Sequence, residues 1–286
     1  MKRRIVVFFH IEKCGGTSLV ELFRRNLPFQ ACEAVSLTNA LSQSELQKTL
    51  RVYPNLKVLS GHNLQIEVLD WLVEAGFEVT SFTILRDPIE RAISDYLHDL
   101  RKGSFTGSLA DYSQITWKHN YIAKFLGSGR EKCARANLSK IDDIVEIQHS
   151  DDFVRSLSGR ENLPWTSDYT IANKASDELP SDVCCAEGIA VGRYRIAEAT
   201  HSALLAVNEL DLQIWRECQL SESTVRDDLR ERDGIRLRVV SGWQRYIASL
   251  KRNLIYKPVM GTWSKYYALP RNRSDPSEVK AASAFR

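Results

Sequence analysis

The sequence predicts an α/β protein built on a parallel sheet of about four or five strands, with helices on both faces. Two stretches support this prediction. Residues Ile5–Phe9 form an unbroken apolar run, which is typical of a strand buried on both faces. Residues Val79–Leu85 form a second run of this kind. Each run leads through a short turn into apolar residues at helical spacing, and repeated strand–turn–helix units indicate parallel strands.

The other elements are predicted from apolar spacing and from residues that start or stop a helix. The first helix is expected to be capped by Thr17 or Ser18 and to end near Pro28. Gly76 is expected to close the helix that precedes the second apolar run. Further helices are predicted over Ser44–Leu50, Ile66–Val73, Pro88–Lys102, Thr116–Leu126, Asp151–Leu157 and Arg195–Cys218, and strands over Lys57–Gly61 and Ile144–Ile147.

The turn after the first strand has the features of an anion-binding loop. The segment Lys13–Gly16 lies between the strand and the helix, so the N–H groups and the dipole of the helix N-terminus point at it. Its two glycines allow the backbone to approach an oxyanion closely, and Lys13 adds a full positive charge. Cys14 lies beside the lysine and the helix N-terminus, a position that favours its thiolate.

A second candidate anion site follows Val79–Leu85. Asp87 fits a helix N-cap and Pro88 the first helical position, so Arg86 is expected at the carboxyl end of a strand. Ligands of open α/β sheets bind at that edge. Ser94 lies two turns further along the predicted helix.

The first loop differs from the phosphate loop of nucleotide triphosphatases, Gly-x-x-x-x-Gly-Lys-[Ser/Thr], because Lys13 precedes both glycines. At the end of the second strand stands Arg86, where a triphosphatase often has a magnesium-binding Asp. These two differences favour an enzyme that binds an anionic substrate without a metal ion. Two alternatives to such an enzyme stay open at this point. One is a metal-dependent phosphotransferase with a degenerate phosphate loop, and the other is a protein that only binds anionic glycans.

Two motifs carry a resemblance to a known family. His10–Leu19 resembles the 5′-phosphosulfate loop of the carbohydrate sulfotransferases, the type that includes the heparan sulfate 2-O- and 6-O-enzymes. Thr83–Ser94 resembles their 3′-phosphate motif, and weaker similarity extends over residues 5–218. The sequence departs from the family at Glu12, where proline is usual.

The resemblance implies a P-loop-like sulfotransferase fold and a specific reaction. The sulfuryl donor would be 3′-phosphoadenosine 5′-phosphosulfate (PAPS), the acceptor a hydroxyl of a carbohydrate or glycoconjugate, and no metal would be needed. Arg86 and Ser94 would hold the 3′-phosphate of the donor. Lys13 would be catalytic. The residues implied to bind the 5′-phosphosulfate are Lys13, Cys14, Gly15, Gly16, Thr17 and Ser18.

His62 is the candidate general base. It follows the predicted strand Lys57–Gly61, so it is expected at the same sheet edge as Lys13. An imidazole can accept a proton near neutral pH. The resembling 2-O-enzymes use a histidine at a matching Gly-His as their base. Glu67, a little over a turn further along, is the alternative base.

Composition narrows the compartment and the partners. The chain has 286 residues with 43% hydrophobic and 26% charged residues, which is ordinary for a globular protein. Its six cysteines include no Cys-x-x-Cys pair, so free thiols are expected rather than a zinc site. The apolar run after the first basic residues is too short for a signal peptide, and no stretch reaches transmembrane length. A cytoplasmic location without a nucleic-acid partner is expected.

Charge divides the chain into two parts. Residues 219–286 contain 14 Lys and Arg against 7 Asp and Glu, whereas residues 1–218 contain 25 against 29. The predicted division is a sulfotransferase core over 1–218 and a basic, aromatic helical extension over 219–286, packed on the core and ending in a frayed tail. Over 243–267, Trp and Tyr interleave with Lys and Arg. Three interpretations stay open for this stretch: simple packing, docking of a polyanion, and contact with a membrane surface.

Overall fold

The computed structural model describes residues 2–36, 40–161, 163, 179–222 and 242–259. Its strands are β1 (Arg3–Phe9), β2 (Ala31–Glu33), β3 (Val58–Gly61), β4 (Phe77–Leu85), β5 (Asp143–Glu146), β6 (Ile189–Val191) and β7 (Tyr194–Ile196). The first five form one parallel sheet in the order β2-β3-β1-β4-β5. The predicted parallel α/β fold is confirmed.

Strand β1 is the centre of the sheet because it pairs with β3 on one side and β4 on the other. Ile5–Phe9 are all buried, and since successive side chains point to opposite faces, both faces of the sheet are covered. Phe9 is in register with Gly61 of β3 and Thr83 of β4. The loops that follow these three strands therefore leave the sheet at the same edge.

Helices connect and cover the strands. They are α1 (Gly16–Asn26), α2 (Gln43–Val52), α3 (Glu67–Glu74), α4 (Pro88–Arg101), α5 (Leu109–Tyr112), α6 (Tyr121–Gly127), α7 (Glu131–Leu138), α8 (Ser150–Glu161), α9 (Glu198–Val207), α10 (Glu209–Glu222), α11 (Gly242–Lys251) and α12 (Lys257–Val259). Single 3₁₀ turns occur at Thr116–Lys118, Ile147–His149 and Ser181–Val183, and a π-helical turn, Arg252–Tyr256, joins α11 to α12.

The predicted long helices are broken where polar side chains take over backbone hydrogen bonds. The helix expected over Thr116–Leu126 is interrupted at Asn120, which has φ 45°, and α6 begins after it. The buried Asp211 carboxylate accepts from the N–H groups of Ile122 (2.9 Å) and Ala123 (2.8 Å), so α6 is capped from α10. Asn208 ends α9 by donating to Leu204 O at 2.9 Å. The single helix predicted over Arg195–Cys218 was therefore wrong.

The sequence prediction also missed the antiparallel hairpin of β6 and β7. Its inner side chains, Val191, Tyr194 and Ile196, join a second hydrophobic cluster with α4, α5 and α9, separate from the core around the sheet. This cluster holds the hairpin beside the first turns of α4. The hairpin is short, with three residues a strand, and that gives little alternating pattern from which to predict it.

The segment from α11 to α12 is attached to the sheet edge at β2. Tyr256 is fully buried, and its hydroxyl accepts from the Val35 N–H at 3.2 Å and lies 3.3 Å from Thr49 Oγ1. Arg252 forms an ion pair with Glu33 of β2. Most of the predicted extension, residues 223–241 and 260–286, lies outside the described residues, and the division at 218 stays a prediction. Within the described part of the chain, no helix is both long enough and apolar enough to cross a membrane.

Candidate active site

The loop between β1 and α1 is shaped by left-handed backbone conformations. Lys13 has φ 66° and Gly15 has φ 81°, and Gly15 is the N-cap of α1 without any side-chain cap. The prediction of a Thr17 or Ser18 cap was wrong, because the N-cap is Gly15, two to three residues earlier. A glycine cap leaves the first turn without a side chain that occupies its N–H groups, so those groups can face an anion.

Gly16 has no room for a side chain. A Cβ at this position would overlap the His10 ring and would lie 2.8 Å from Phe8 Cζ. The His10 ring is buried and stacks on Phe8 with ring centroids 5.2 Å apart. The loop backbone therefore rests directly on rigid aromatic side chains at the end of β1. This close approach requires glycine and fixes the height of the loop above the sheet.

Lys13 is partly buried in a mixed electrostatic environment. Burial is the main cause that lowers its pKa, whereas the charges of Asp95 and Glu12 raise it. Lys102 and Arg101, at the end of α4, lower it further. Lys13 thus belongs to a basic rim formed with the last turn of α4, and Asp95 supplies the largest compensating charge.

Cys14 is buried rather than exposed to solvent, and burial raises the pKa of its thiol to about 11. The expectation that the helix N-terminus would favour its thiolate was wrong because desolvation outweighs the neighbouring positive charges. Its sulfur hydrogen-bonds the backbone N–H of Arg86. The residue therefore joins the two candidate anion loops and is inert as a nucleophile near neutral pH.

His62 lies one residue beyond β3, next to His10. Its Nδ1 is 2.7 Å from the backbone oxygen of His10, and the two rings are 3.9 Å apart between centroids. A carbonyl oxygen can only accept, so Nδ1 of His62 carries a proton, and in the neutral ring the lone pair is then on Nε2. Burial is the main cause that lowers the pKa of His10 to about 2, and the charge of His62 adds to the effect. His10 is therefore neutral, and His62 is the partly exposed member of the pair.

The second anion motif lies where predicted. Asp87 caps α4 by accepting from the N–H groups of Ile89 and Glu90, each at 2.9 Å, with Pro88 in the first helical position. Arg86 follows β4 and donates from Nε to Glu90 Oε2 at 3.0 Å. Ser94 lies two turns along α4 and is partly buried.

A cavity of about 430 Å³ lies beside Arg86, which is one of its lining residues. Ile147, after β5, is another, and a Cβ on Gly15 would be 3.0 Å from its Cδ1, so the cavity and the first loop share a wall. The missed hairpin and α10 close the other sides with Gly192 and Trp215. The indole Nε1 of Trp215 is buried and has no hydrogen-bond partner among the described residues.

A buried charge cluster behind the loop was also missed. Arg91 is 1% exposed, and Asp95 is 3.8 Å from it and 2.8 Å from Lys118 Nζ. Lys118 also binds Asp99 at 2.9 Å. From the sequence, Arg91 and Lys118 have the spacing of ordinary surface charges. What buries them is the fold of 109–127 over α4, which residue spacing does not reveal.

The remaining candidates take different positions. Burial is the main cause that raises the pKa of the Tyr121 phenol, and the charge of Glu12 raises it further. Glu67 is exposed at the first position of α3. The described residues contain no cluster of three or more His, Cys, Asp or Glu able to hold a metal ion.

Comparison with known proteins gives a family match. Residues 2–210 match the model described as "Sulfotransferase family". None of the curated proteins matches the chain. Among solved structures, a sulfotransferase from Alicyclobacillus acidocaldarius is similar at 13% identity and TM-score 0.39, covering 62% of this chain and 87% of that chain. Mouse sulfotransferase SULT7A1 complexed with PAP is similar at 13% identity and TM-score 0.37, covering 100% of this chain and 84% of that chain.

Proposed function

Because the chain belongs to the sulfotransferase family, we propose that it transfers the sulfuryl group of PAPS to a carbohydrate or glycoconjugate hydroxyl, with His62 as the general base. Family membership favours sulfuryl transfer over both earlier alternatives, the metal-dependent phosphotransferase and the binding-only protein. The observation that carries the proposed mechanism is the hydrogen bond from His62 Nδ1 to His10 O at 2.7 Å. It leaves Nε2 as a proton acceptor at the sheet edge that also bears Lys13.

The residues around the loop fit the donor. Gly16 allows the backbone to lie against the His10 ring, so an oxyanion can reach the N–H groups of the first helical turn. The 430 Å³ cavity that shares a wall with this loop is of the size that holds small ligands. The buried indole N–H of Trp215 supplies a donor at that cavity without a protein partner. When bound, PAPS supplies an activated sulfuryl group.

Each group of site residues has a separate role in the proposed reaction. His62 Nε2 takes the proton from the acceptor hydroxyl, which raises the nucleophilicity of its oxygen. Lys13 and the N–H groups of Gly15–Ser18 stabilise negative charge that grows at the phosphosulfate end. Arg86 and Ser94 bind the 3′-phosphate and so fix the orientation of the donor. When the phosphate binds, the Arg86 guanidinium must either break its ion pair with Glu90 or contact the carboxylate and the phosphate at the same time.

The electrostatics of the rim support an acceptor that carries negative charge. Burial is the main cause that lowers the pKa of His98, and the charges of Lys13 and Lys102 lower it further. The charges of Lys102 and Arg101 likewise lower the pKa of Lys13, although burial is the main cause. This basic rim suits a glycan with carboxylate or sulfate groups better than a neutral phenol or an apolar alcohol.

The test is transfer from labelled PAPS to a panel of acceptors: a desulfated acidic polysaccharide, a simple glycoside, a phenol and an amine. We expect transfer to a carbohydrate. His62→Ala should lower kcat about 10²–10⁴-fold and remove the ascending limb of the kcat–pH profile, with unchanged affinity for 3′,5′-adenosine bisphosphate. Glu67→Gln is the matched control and should keep both rate and profile.

Two results would overturn the proposal in different parts. Transfer to the phenol or amine alone would remove the carbohydrate acceptor but keep sulfuryl transfer. Retention of most activity and of the same pH profile in His62→Ala, with their loss in Glu67→Gln, would assign the base to Glu67.

A further inference from the structure

The segment from α11 to α12 carries most of the large apolar side chains that the described part of the chain exposes. Of eight such residues, six fall in this segment and one, Val73, lies on α3. The six are Tyr246, Ile247, Leu250, Leu254, Ile255 and Val259. Leu254 is 61% exposed and Tyr246 is 55% exposed. Isolated exposed apolar residues are normal, but six within one short helical segment form a surface that needs an explanation.

The segment is attached by its opposite side. Tyr246, Leu250 and Leu254 recur at intervals of four residues, so they follow one face of the helix. Tyr256 follows Leu254 by two residues, which turns it to the far side, where it is fully buried against β2 and α2. The Arg252–Glu33 ion pair holds the same side. The body of the protein therefore fixes the helix with its apolar face outward.

The charge of the segment has one sign. Residues 242–259 contain Arg245, Lys251, Arg252 and Lys257 and no Asp or Glu. Lys251 lies over the Tyr53 ring at 4.7 Å, next to the apolar face. Over residues 242–286 the sequence has nine Lys and Arg against two Asp and Glu. Any surface that binds here must accept aliphatic side chains and offer negative charge.

We propose that this face, Tyr246, Ile247, Leu250 and Leu254 with Lys251 beside it, adsorbs to an anionic phospholipid surface. Apolar side chains on one face of a helix with Lys and Arg at its border are the features of an interfacial helix. A sulfated polysaccharide would use the cations but would leave Leu250 and Leu254 in water. A second copy of the chain would bring the same cations together without acidic partners. The lipid surface satisfies both features of the helix at once.

The experiment is flotation of the full chain with vesicles of phosphatidylcholine alone or with phosphatidylserine added. Binding is expected only to the anionic vesicles and should weaken as salt rises. The double variant Leu250→Gln/Leu254→Gln should bind at least about tenfold more weakly, because two half-exposed leucines lose their apolar burial. Lys251→Gln should bind about fivefold more weakly, as expected for one cation near the surface. Val73→Gln removes an apolar side chain elsewhere that is 57% exposed, and it should bind like the parent.

Other outcomes overturn the proposal. Equal vesicle binding by the leucine double variant and the parent would show that only charge matters, which favours a polyanion as the partner. Heparin binding that the leucine substitutions also leave unchanged would confirm a polyanion. A dimer in light scattering that the leucine variant dissociates, without vesicle binding by the parent, would assign the face to a second copy. Absence of vesicle binding at low salt by a monomeric parent would leave no membrane role. PAPS turnover in solution should be unchanged in all four proteins, so failure here is separate from failure of the proposed reaction.

Discussion

Acidification from pH 7 to pH 5 should weaken the fold through the buried His10. Its ring is buried between Phe8 and the His62 ring and lies against Gly16, so the folded protein has no space in which to solvate an imidazolium. Burial lowers the pKa of His10 from 6.5 to about 2. The unfolded chain binds a proton at this residue below pH 6.5, whereas the folded chain stays neutral until far lower pH.

The size of the effect follows from that difference. Because the unfolded state binds more protons between the two pKa values, stability falls as pH falls through that window. At pH 5 the unfolded chain is 1.5 pH units below its own pKa, which corresponds to about 2 kcal/mol of lost unfolding free energy relative to pH 7. The loss continues towards the folded pKa.

Urea unfolding of the parent and of His10→Gln at pH 7 and pH 5 isolates the contribution of His10 titration to the unfolding free energy. The substitution costs packing energy at either pH, but glutamine does not titrate, so it should cost about 2 kcal/mol less at pH 5 than at pH 7. All other titrating groups cancel in the comparison as long as their pKa values do not change. An identical cost at the two pH values would show that the folded protein admits a charged His10, and the close packing against Gly16 would then be wrong.

Three further predictions concern the loop, the donor and the C-terminal attachment. Gly16→Ala should destabilise the fold by about 1–3 kcal/mol, because its Cβ would overlap buried rings. Gly159→Ala, on the open face of α8, should stabilise the fold by about 0.5–1 kcal/mol. Thermal unfolding that ranks the two variants the other way would contradict this prediction. Arg86→Ala should weaken binding of 3′,5′-adenosine bisphosphate roughly 10- to 100-fold in calorimetry, and unchanged affinity would remove Arg86 from the 3′-phosphate site. Tyr256→Phe should cost about 1–3 kcal/mol in urea unfolding, because it leaves the Val35 N–H without its acceptor, and a neutral result would refute that contact.

The sheet and the positions of both anion motifs were predictable because they depend on local pattern. A run such as Ile5–Phe9 can only be buried on both faces, and a residue that follows such a strand lies at its carboxyl end. Asp87 and Pro88 were recognised because helix capping is a local preference of residue type. His62 was placed at the same edge as Lys13 by the parallel register of β1 and β3.

The features that sequence reasoning missed depend on contacts between distant segments. The break at Asn120 and the start of α10 are held by mutual hydrogen bonds, since Asn120 N–H donates to Asn208 at 3.3 Å and Asp211 N–H donates to Asn120 at 3.1 Å. These partners are some 90 residues apart along the chain, and neither segment alone indicates a break. The hydrogen bond between the Cys14 sulfur and the Arg86 N–H likewise joins two segments that are 72 residues apart along the chain.

Glu12 raises a physical problem, because it places a carboxylate beside a loop that has the features of an anion site. Part of the explanation is Tyr121, the first residue of α6, whose phenol pKa is raised mainly by burial and then by the charge of Glu12. The same tyrosine ring carries the Arg91 guanidinium 4.7 Å from its centroid. Glu12 is therefore coupled through one aromatic ring to a fully buried cation.

That coupling extends into a balanced set of charges. Arg91 and Lys118 both face Asp95, and Asp95 is also the largest favourable charge on Lys13. Replacing the rigid proline that is usual at position 12 by an acid thus adds one more anion to a cluster that already holds several cations. Burial is the main cause that lowers the pKa of Lys13, and the charges of Asp95 and Glu12 both raise it. The departure from the family pattern is consequently compatible with a cationic loop, since the Glu12 carboxylate favours the charged form of Lys13.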